Sequence, residues 1–287
     1  MNEKITFVSG CDANYFPILV EWLHSIRRFD QAKDMDICIL DAGLTQDQID
    51  ALKDHCATIV NPDWPANIPA HKIRGREYLK GCVCRPFLPQ IFPGYDTYIW
   101  MDADTWLQDW RAIELYLEGA RRGKLAITSQ SDRAFRNALR VKWLGSIPLK
   151  LRSFYVSNAL IAYNLKMAKA LMPHPVLNAG SFAMRADAPH WKRWQELVIN
   201  TIRKGKIFTA EQLSLGILTY LEHYPVEILP AYTQWMNLDS SPPLWDQSQN
   251  RFTEPYLPHE PIGIMHLCGM DAERKDRDIT ADIRLQD

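Results

Sequence analysis

The eight residues from 97 to 104 read TYIWMDAD, and they decide the fold. The first five are apolar enough for a central β-strand, and the run ends in Asp102-Ala103-Asp104. In open α/β sheets, ligands bind outside the carboxyl ends of the strands. The sequence therefore predicts that both carboxylates lie on the ligand-binding edge of a sheet.

Toward the N-terminus, segments of strand and helix character alternate. Predicted strands cover residues 4–9, 36–40 and 56–60, and predicted helices cover residues 14–29 and 45–55, the second with Thr45 as its N-cap. This alternation is typical of an α/β fold with a mostly parallel central sheet flanked by helices.

The remaining segments are less regular. A helix is predicted at residues 78–92, before the central strand, and another at 211–221. Further strands are predicted at residues 125–128, 177–184 and 226–229. The interval 131–175 is too long for a plain connection and must contain helices, whereas 232–261, rich in Pro, Trp and Asp, is predicted to be irregular.

The composition is that of a globular protein. The chain has 287 residues, 47% of them apolar, which suffices for one large core. A net charge of -1 gives no general attraction to nucleic acid. We expect a cytoplasmic protein, because the N-terminus has no leader pattern and no run approaches the roughly 20 apolar residues of a spanning helix. The six scattered cysteines are expected to be reduced.

Asp102 and Asp104 are candidate metal ligands. In an extended segment they project to the same side, and their repulsion predicts a hard divalent cation with phosphate oxygens in its other positions. The alternative is that the motif only caps a strand and begins a turn. His266 follows an apolar run and is a candidate third ligand, although a structural role is the alternative. Gly269 would let the backbone approach a phosphate.

A polar motif follows the first predicted strand, where such sheets commonly receive a nucleotide base. Asp12 could accept from a base N–H, Asn14 could contact the ribose, and Tyr15 could stack on the base. The alternative is a simple helix N-terminus with Asp12 or Asn14 as its cap.

Residues 133–152 are basic and apolar, with no acidic residue. The cations are Arg133, Arg136, Arg140, Lys142, Lys150 and Arg152. Such a segment predicts contact with an anionic membrane or with a phosphorylated or lipid-linked acceptor. The alternative is a solvated helix face packed on the sheet through its apolar side.

Six motifs in chain order resemble glycosyltransferase family eight, the family of glycogenin and the bacterial lipopolysaccharide galactosyl- and glucosyltransferases. They are Asp12-x-Asn14-Tyr15, Arg85, Asp102-x-Asp104, Asn178-Ala179-Gly180, Glu211-Gln212 and His266-x-x-Gly269. The resemblance covers residues 4–270. It implies a GT-A (Rossmann-like) fold in one domain of residues 1–287, with a nucleotide-binding half at 1–130 and an acceptor-binding half at 131–287.

The resemblance also implies an activity and roles for these residues. The activity is metal-dependent transfer of a hexose, with retention, from a UDP-sugar to a glycan, lipid-linked or protein acceptor. Asp102, Asp104 and His266 would bind Mn²⁺ or Mg²⁺. The nucleotide-sugar would contact Asp12, Asn14, Tyr15, Arg85, Ala103, Ala179, Gly180 and Gly269, and the catalytic residues would be Asn178, Glu211 and Gln212. Because an amide is a poor nucleophile, Gln212 favours a front-face displacement over a covalent intermediate.

Two departures from the family pattern stand out. Glu211 takes the place of the usual aspartate, which changes its reach by one methylene. The family has a lysine three residues after the glycine, where this chain has Ala272, and Arg274 or Lys275 could supply the charge.

Two other functions remain open. A nucleotidyltransferase that makes nucleotide sugars shares the general sheet, but its glycine-rich, Arg-containing loop is missing from SGCDANYF, residues 9–16. A non-catalytic sugar-nucleotide-binding protein would be consistent with the lost lysine.

Overall fold

The computed structural model describes residues 3–135, 140–152, 154–237 and 240–269, in which strands and helices alternate. The strands are β1 (Ile5–Cys11), β2 (Asp36–Asp41), β3 (Thr58–Val60), β4 (Thr97–Met101), β5 (Thr105–Leu107), β6 (Leu125–Ser129), β7 (Arg140–Leu144), β8 (Ile147–Arg152), β9 (Leu177–Arg185), β10 (Val226–Leu229), β11 (Trp235–Met236), β12 (Leu244–Asp246), β13 (Arg251–Thr253) and β14 (Ile264–His266). The α-helices are α1 (Phe16–Arg27), α2 (Gln46–Leu52), α3 (Ala70–Ile73), α4 (Lys80–Val83), α5 (Leu88–Ile91), α6 (Arg111–Arg121), α7 (Phe154–Ala162), α8 (Leu165–Leu171), α9 (His190–Lys204) and α10 (Ala210–Gly216). A π-helical turn, Ile217–Leu221, continues α10, and 3-10 turns lie at Asp30–Ala32, Glu77–Leu79, Arg85–Phe87 and Ala231–Thr233.

Seven strands form the central sheet, in the order β10-β6-β9-β4-β1-β2-β3. β1 is parallel to β2 and β4, β2 is parallel to β3, and β6 is parallel to β10. Only β9 breaks the pattern within this sheet, because it runs antiparallel between β4 and β6. The predicted α/β fold with a mostly parallel sheet is confirmed.

Helices cover both faces of the sheet, and β4 shows why. Ile99 and Met101 belong to one core cluster, which includes buried residues of α1 and α6. Tyr98 and Trp100 belong to the other, with buried residues of α4 and α9. A strand with large apolar side chains at consecutive positions, here 98–101, can be buried on both faces, and this fixes β4 in the middle of the sheet.

A second, three-stranded sheet lies beside the end of β4, in the order β11-β14-β5. β5 follows β4 after the short segment that contains Asp102 and Asp104. β14 pairs antiparallel with β5, with His266 opposite Thr105. This pairing returns the chain, late in the sequence, to the segment that follows the central strand.

The predicted helix at 78–92 is wrong as a continuous element. The segment instead consists of α4, α5 and two 3-10 turns. Pro86 and Pro89 explain the breaks, because a proline has no N–H for the helix ladder and its ring disfavours helical conformation in the residue before it. By contrast, Thr45 caps α2 as predicted, with a reciprocal capping box to Gln48.

The interval 131–175 contains the predicted helices, α7 and α8. Its beginning differs from the alternative of a solvated helix face, because β7 and β8 form an antiparallel hairpin of their own. The irregular segment 232–261 contains only short elements, among them the β12–β13 hairpin.

Two observations bear on the environment of the protein. Among the helices in the described ranges, none combines the length and the apolar composition needed to cross a membrane. None of the six cysteines, all of which lie in those ranges, forms a disulfide.

Candidate metal and donor site

The candidate site lies where neighbouring strands end. β1 and β4 are adjacent and parallel, and the chain leaves their carboxyl ends through Asp12 and Asp102. The small sheet brings His266 to the same edge, opposite Thr105. The structure therefore gathers residues from the beginning, the middle and the end of the chain at one edge of the sheet.

Asp102, Asp104 and His266 form a compact cluster. Nε2 of His266 lies 3.3 Å from Oδ1 of Asp104 and 3.8 Å from Oδ2 of Asp102. One ligand atom from each of the three residues lies within 4.8 Å of the others. His266 is buried, whereas both aspartates are partly exposed, so the cluster can be reached from solvent on the carboxylate side.

The aspartates lie in a turn. The backbone N–H of Thr105 donates to the carbonyl oxygen of Asp102 at 3.0 Å, and its hydroxyl donates to the same oxygen at 2.7 Å. The expectation that the two side chains project from an extended segment is therefore wrong, and the turn alternative describes the local backbone. The turn still keeps both carboxylates beside His266, so a turn and a metal site are compatible at this position.

Gln234 orients the His266 ring. In one orientation of the Gln234 amide, the oxygen faces donors and the nitrogen faces acceptors. Oε1 then accepts from Nδ1–H of His266 at 3.1 Å and from the backbone N–H of Ser181 at 3.0 Å. Nε2 then donates to the hydroxyl of Thr128 at 2.9 Å. A proton on Nδ1 leaves the lone pair on Nε2, the nitrogen that faces the aspartates. Gln234 is a residue of the candidate site that the sequence did not reveal.

Gly180 makes room for the histidine. A Cβ atom built on Gly180 would lie 2.3 Å from Cε1 of His266 and 2.7 Å from the Gln234 amide atom that contacts His266, which is Oε1 in the orientation above. The carbonyl oxygen of Gly180 also accepts from the backbone N–H of Asp102 at 2.7 Å. Glycine at this position in β9 is therefore required by contact with the metal-ligand cluster.

Arg85 is a buried cation that joins two acids. It forms ion pairs with Oδ1 of Asp102 at 2.5 Å and with Oε1 of Glu211 at 2.8 Å. It also donates to the carbonyl oxygens of Gly81 and Ala179. Its contacts fix α10 against the end of β4, and its predicted contact with the donor remains a prediction.

Trp100 was also missed by sequence reasoning. Its Nε1–H donates to Oδ1 of Asp102 at 2.8 Å, and the Arg85 guanidinium lies 4.6 Å from its ring centroid. Residues two apart in a strand point the same way, so Trp100 is placed to reach a side chain that follows the strand. These contacts fix one oxygen of Asp102, and the other faces His266.

Burial raises the pKa of Glu211 to about 8, and Arg85 opposes the rise. Burial also raises the pKa of Asp102, again against the attraction of Arg85. One guanidinium serves both carboxyl groups, and Asp104 adds a further negative charge beside Asp102. The cluster therefore carries more acids than cations, which favours either a proton or an added cation.

The raised pKa of Glu211 predicts a pH-dependent stability. Between its ordinary pKa of 4.5 and about 8, the folded protein keeps a proton that the unfolded chain releases. The contribution of this proton to the unfolding free energy is complete below pH 4.5 and is lost as the pH rises toward 8. Between pH 5 and 8, we expect the unfolding free energy of the metal-free wild type to fall more steeply than that of Glu211→Gln, by up to about 4 kcal/mol at roughly 1.4 kcal/mol per pKa unit.

Urea unfolding of both proteins with a chelator present measures this difference. Parallel stability curves for wild type and Glu211→Gln over this pH range would contradict the assignment of the proton to Glu211.

The motif after β1 is tied together by its own hydrogen bonds. Oδ1 of Asp12 accepts from the backbone N–H groups of Asn14 at 3.1 Å and Tyr15 at 3.2 Å. Asp12 therefore holds the turn that precedes α1. The alternative with Asp12 or Asn14 as the helix cap is wrong, because α1 begins at Phe16 with Tyr15 as its N-cap and no side-chain cap hydrogen bond. Asn14 is exposed and Tyr15 half-buried at the sheet edge, so their contacts with a nucleoside remain a prediction.

The other predicted residues lie on β9, on α10 and after β14. Asn178 is buried in β9, where its amide donates to the hydroxyl of Thr128 at 3.2 Å. Gln212 is half-buried on α10, beside Glu211. Gly269 has φ of 72°, a conformation that suits glycine. Ala272, Arg274 and Lys275 lie outside the described residues. That Arg274 or Lys275 supplies the charge of the missing lysine therefore stays a prediction.

The donor set fits a divalent cation. Two carboxylates and one imidazole nitrogen suit ions such as Mn²⁺, and Mg²⁺ would rely mainly on the carboxylates. The hydrogen bond from His266 to Gln234 is the kind of outer contact that metal-bound histidines make. Three protein ligands leave coordination positions for oxygens of a bound molecule.

Comparison with known proteins gives the class of the fold. No protein-family model matches the chain, and no curated protein matches it. Solved glycosyltransferase structures do match. An active-site mutant of LgtC is 14% identical with a TM-score of 0.52, over 92% of this chain and 87% of that one. The apo bifunctional glycosyltransferase WbbM is 15% identical with a TM-score of 0.58, over 94% of this chain and 46% of that one.

A mouse enzyme shows the same fold over its whole length. Apo xyloside xylosyltransferase 1 is 11% identical with a TM-score of 0.51, over 94% of this chain and 99% of that one. The chain therefore has the GT-A fold of glycosyltransferases, as predicted. At these identities the likeness concerns the fold, and membership of family eight in particular stays a prediction.

Proposed function

We propose that this protein is a metal-dependent glycosyltransferase that moves a hexose from a nucleotide-diphosphate sugar, a UDP-sugar, to an acceptor. The observation that carries the proposal is the cluster of Asp102, Asp104 and His266 at the carboxyl edge of a GT-A sheet. Ligands bind at that edge in open α/β sheets. Two carboxylates with an imidazole provide a site for Mn²⁺ or Mg²⁺ next to a diphosphate.

The donor would extend along the sheet edge. Asp12, Asn14 and Tyr15, beyond the end of β1, would receive the uracil and ribose, and Gly269 would lie against the diphosphate. Support comes from the adjacency of β1 and β4, which places the two motifs on neighbouring strands. Ala103, Ala179 and Gly180 would border the donor between them.

When bound, the metal ion would act as a Lewis acid that stabilises the charge of the leaving diphosphate. Asp102 would be held for this role by Arg85 and Trp100. Glu211 and Gln212 on α10, with Asn178 on β9, would lie around the transferred sugar. Because Glu211 is buried and paired with Arg85, it is a poor candidate for a nucleophile. We therefore propose that the transfer, with retention, proceeds by front-face displacement and not through a covalent intermediate on Glu211.

The acceptor would be a glycan, lipid-linked or protein hydroxyl, bound mainly by residues 131–287 of a single domain. A cytoplasmic location is part of the proposal. LgtC, one of the fold's relatives, is a galactosyltransferase that has been crystallised with donor and acceptor sugar analogues.

A calorimetric titration of UDP with and without Mn²⁺ is the direct test. We expect binding at least about tenfold tighter with Mn²⁺, because an ion held by Asp102, Asp104 and His266 would supply positive charge for the diphosphate. UDP-sugars would then be screened for slow donor hydrolysis, which separates an enzyme from a non-catalytic binding protein.

GDP and ADP are the matched controls for the base. Binding of GDP or ADP in preference to UDP would overturn the uracil assignment and leave the fold-level class intact. Failure of all three nucleotides to bind with Mn²⁺ would overturn the proposed donor site. Formation of a UDP-sugar from UTP and a sugar phosphate would indicate a nucleotidyltransferase instead.

A further inference from the structure

Residues 133–186 are strongly basic in a chain whose net charge is -1. They contain no Asp or Glu, and their cations are Arg133, Arg136, Arg140, Lys142, Lys150, Arg152, Lys166, Lys169 and Arg185. The first and last of these pair with Glu254 and Asp187, which lie outside the segment. The excess of positive charge therefore belongs to the middle of the segment, which contains the β7–β8 hairpin and helices α7 and α8.

The tip of the hairpin is apolar and exposed. Trp143 is 61% exposed, Leu144 64% and Ile147 63%, and they flank the turn at Gly145 and Ser146. Scattered apolar residues are normal on protein surfaces, but three large ones around one turn are a local concentration. Beyond the hairpin, Leu160 and Ile161 on α7 and Leu165 on α8 are also exposed.

The strand register places like charges opposite one another. Arg140 pairs with Arg152, and Lys142 pairs with Lys150. Like charges in directly opposed positions destabilise an antiparallel pair in water. An anionic surface would convert this repulsion into attraction.

We propose that the β7–β8 hairpin docks the protein on an anionic lipid bilayer. The apolar tip enters the interfacial region, where tryptophan is favoured, and the cations of the strands contact lipid phosphates. A soluble phosphate compound would satisfy the cations and leave the tip in water. A second copy of the same hairpin would bring like charges together. The proposal goes beyond sugar transfer, since docking requires neither donor nor metal.

Co-sedimentation with vesicles tests the proposal. The full-length protein is mixed with phosphatidylcholine vesicles that contain or lack phosphatidylglycerol, at low and at high salt. We expect binding to the anionic vesicles only, weakened by salt. The triple variant Trp143→Ser, Leu144→Ser, Ile147→Ser and the double variant Lys142→Glu, Lys150→Glu should each bind at least about tenfold more weakly.

Leu257→Ser is the matched control. Leu257 is 77% exposed and lies outside the segment, so its loss should leave vesicle binding unchanged. Far-UV circular dichroism and Mn²⁺-dependent UDP binding show whether each variant is folded. Absence of wild-type binding to anionic vesicles overturns the proposal, as does full binding by the folded triple variant. Equal binding to neutral vesicles overturns the electrostatic part. A wild-type protein that dimerises and does not bind vesicles, with variants that are monomeric, would assign the surface to contact with a second copy of the chain.

Discussion

Asp104→Asn is expected to weaken Mn²⁺ binding by about 100-fold or more, since even outer contacts of a metal site are worth 10–100-fold. The substitution keeps the shape of the side chain and removes its charge beside Nε2 of His266, 3.3 Å away. Asp102 is the less suitable target. Its loss would leave Arg85 short of one partner, and a broken buried ion pair costs about 3–5 kcal/mol.

Calorimetric titration with Mn²⁺, and with UDP in the presence of Mn²⁺, measures the effect. Asp54→Asn is the control, because it removes the same charge from an exposed position far along the chain from the cluster. Unchanged Mn²⁺ affinity in folded Asp104→Asn would exclude this cluster as the metal site. A similar loss in Asp54→Asn would indicate an unspecific effect of net charge.

Gly180→Ala is expected to lower Mn²⁺ affinity at least about tenfold, through displacement of His266, and to cost about 1–3 kcal/mol of unfolding free energy. The added methyl group would meet Cε1 of His266 at 2.3 Å and Oε1 of Gln234, the oxygen that accepts from His266, at 2.7 Å. Both neighbours are buried, so neither can move aside without breaking the hydrogen bond that fixes the His266 tautomer.

Gly81→Ala provides the comparison, because a Cβ atom on Gly81 meets nothing within 4 Å. Gly81 lies in α4, where alanine has the higher helix propensity, so this variant should be as stable as the wild type or more so. Urea unfolding and Mn²⁺ titration of both variants measure the two effects. Wild-type Mn²⁺ affinity in Gly180→Ala would show that the histidine can bind the ion without its close approach to Gly180.

The fold was largely predictable because its deciding elements are locally encoded. Apart from the buried Thr97, TYIWM is apolar, which suits a strand covered on both faces, and β4 has that place. The alternation of segments before it predicted the order of β1, α1, β2 and α2. The direction of β9 was not predictable from periodicity, since parallel and antiparallel strands share the same alternation of side chains.

The candidate site was predictable only in part. Asp102 and Asp104 are close in sequence and follow a recognisable strand, so local reasoning reached them. Gln234 was beyond that reasoning, because it lies in a segment that reads as irregular and acts through a hydrogen bond to a residue 32 positions away. The prediction of one helix at 78–92 was wrong for a local reason, because Pro86 and Pro89 interrupt the helix despite its apolar pattern.

For Arg85, the sequence indicated a place in the site but not the groups that its guanidinium contacts. Its spacing ahead of the aspartates suggested a residue of the donor site. The structure places its guanidinium between Asp102 and Glu211, inside the protein. Whether a side chain meets ligand or protein depends on neighbours that are distant in sequence.

The antiparallel pairing of β14 with β5 also links ion binding to folding of the whole chain. Asp102 and His266 become neighbours only after the central sheet and the small sheet have both formed. An unfolded chain cannot present the complete ligand set, so the binding free energy is gained by the native state alone. At an ion concentration of 100 times the dissociation constant, this linkage would add about 2.7 kcal/mol to the unfolding free energy. The ion would then stabilise the chain only after both sheets have formed.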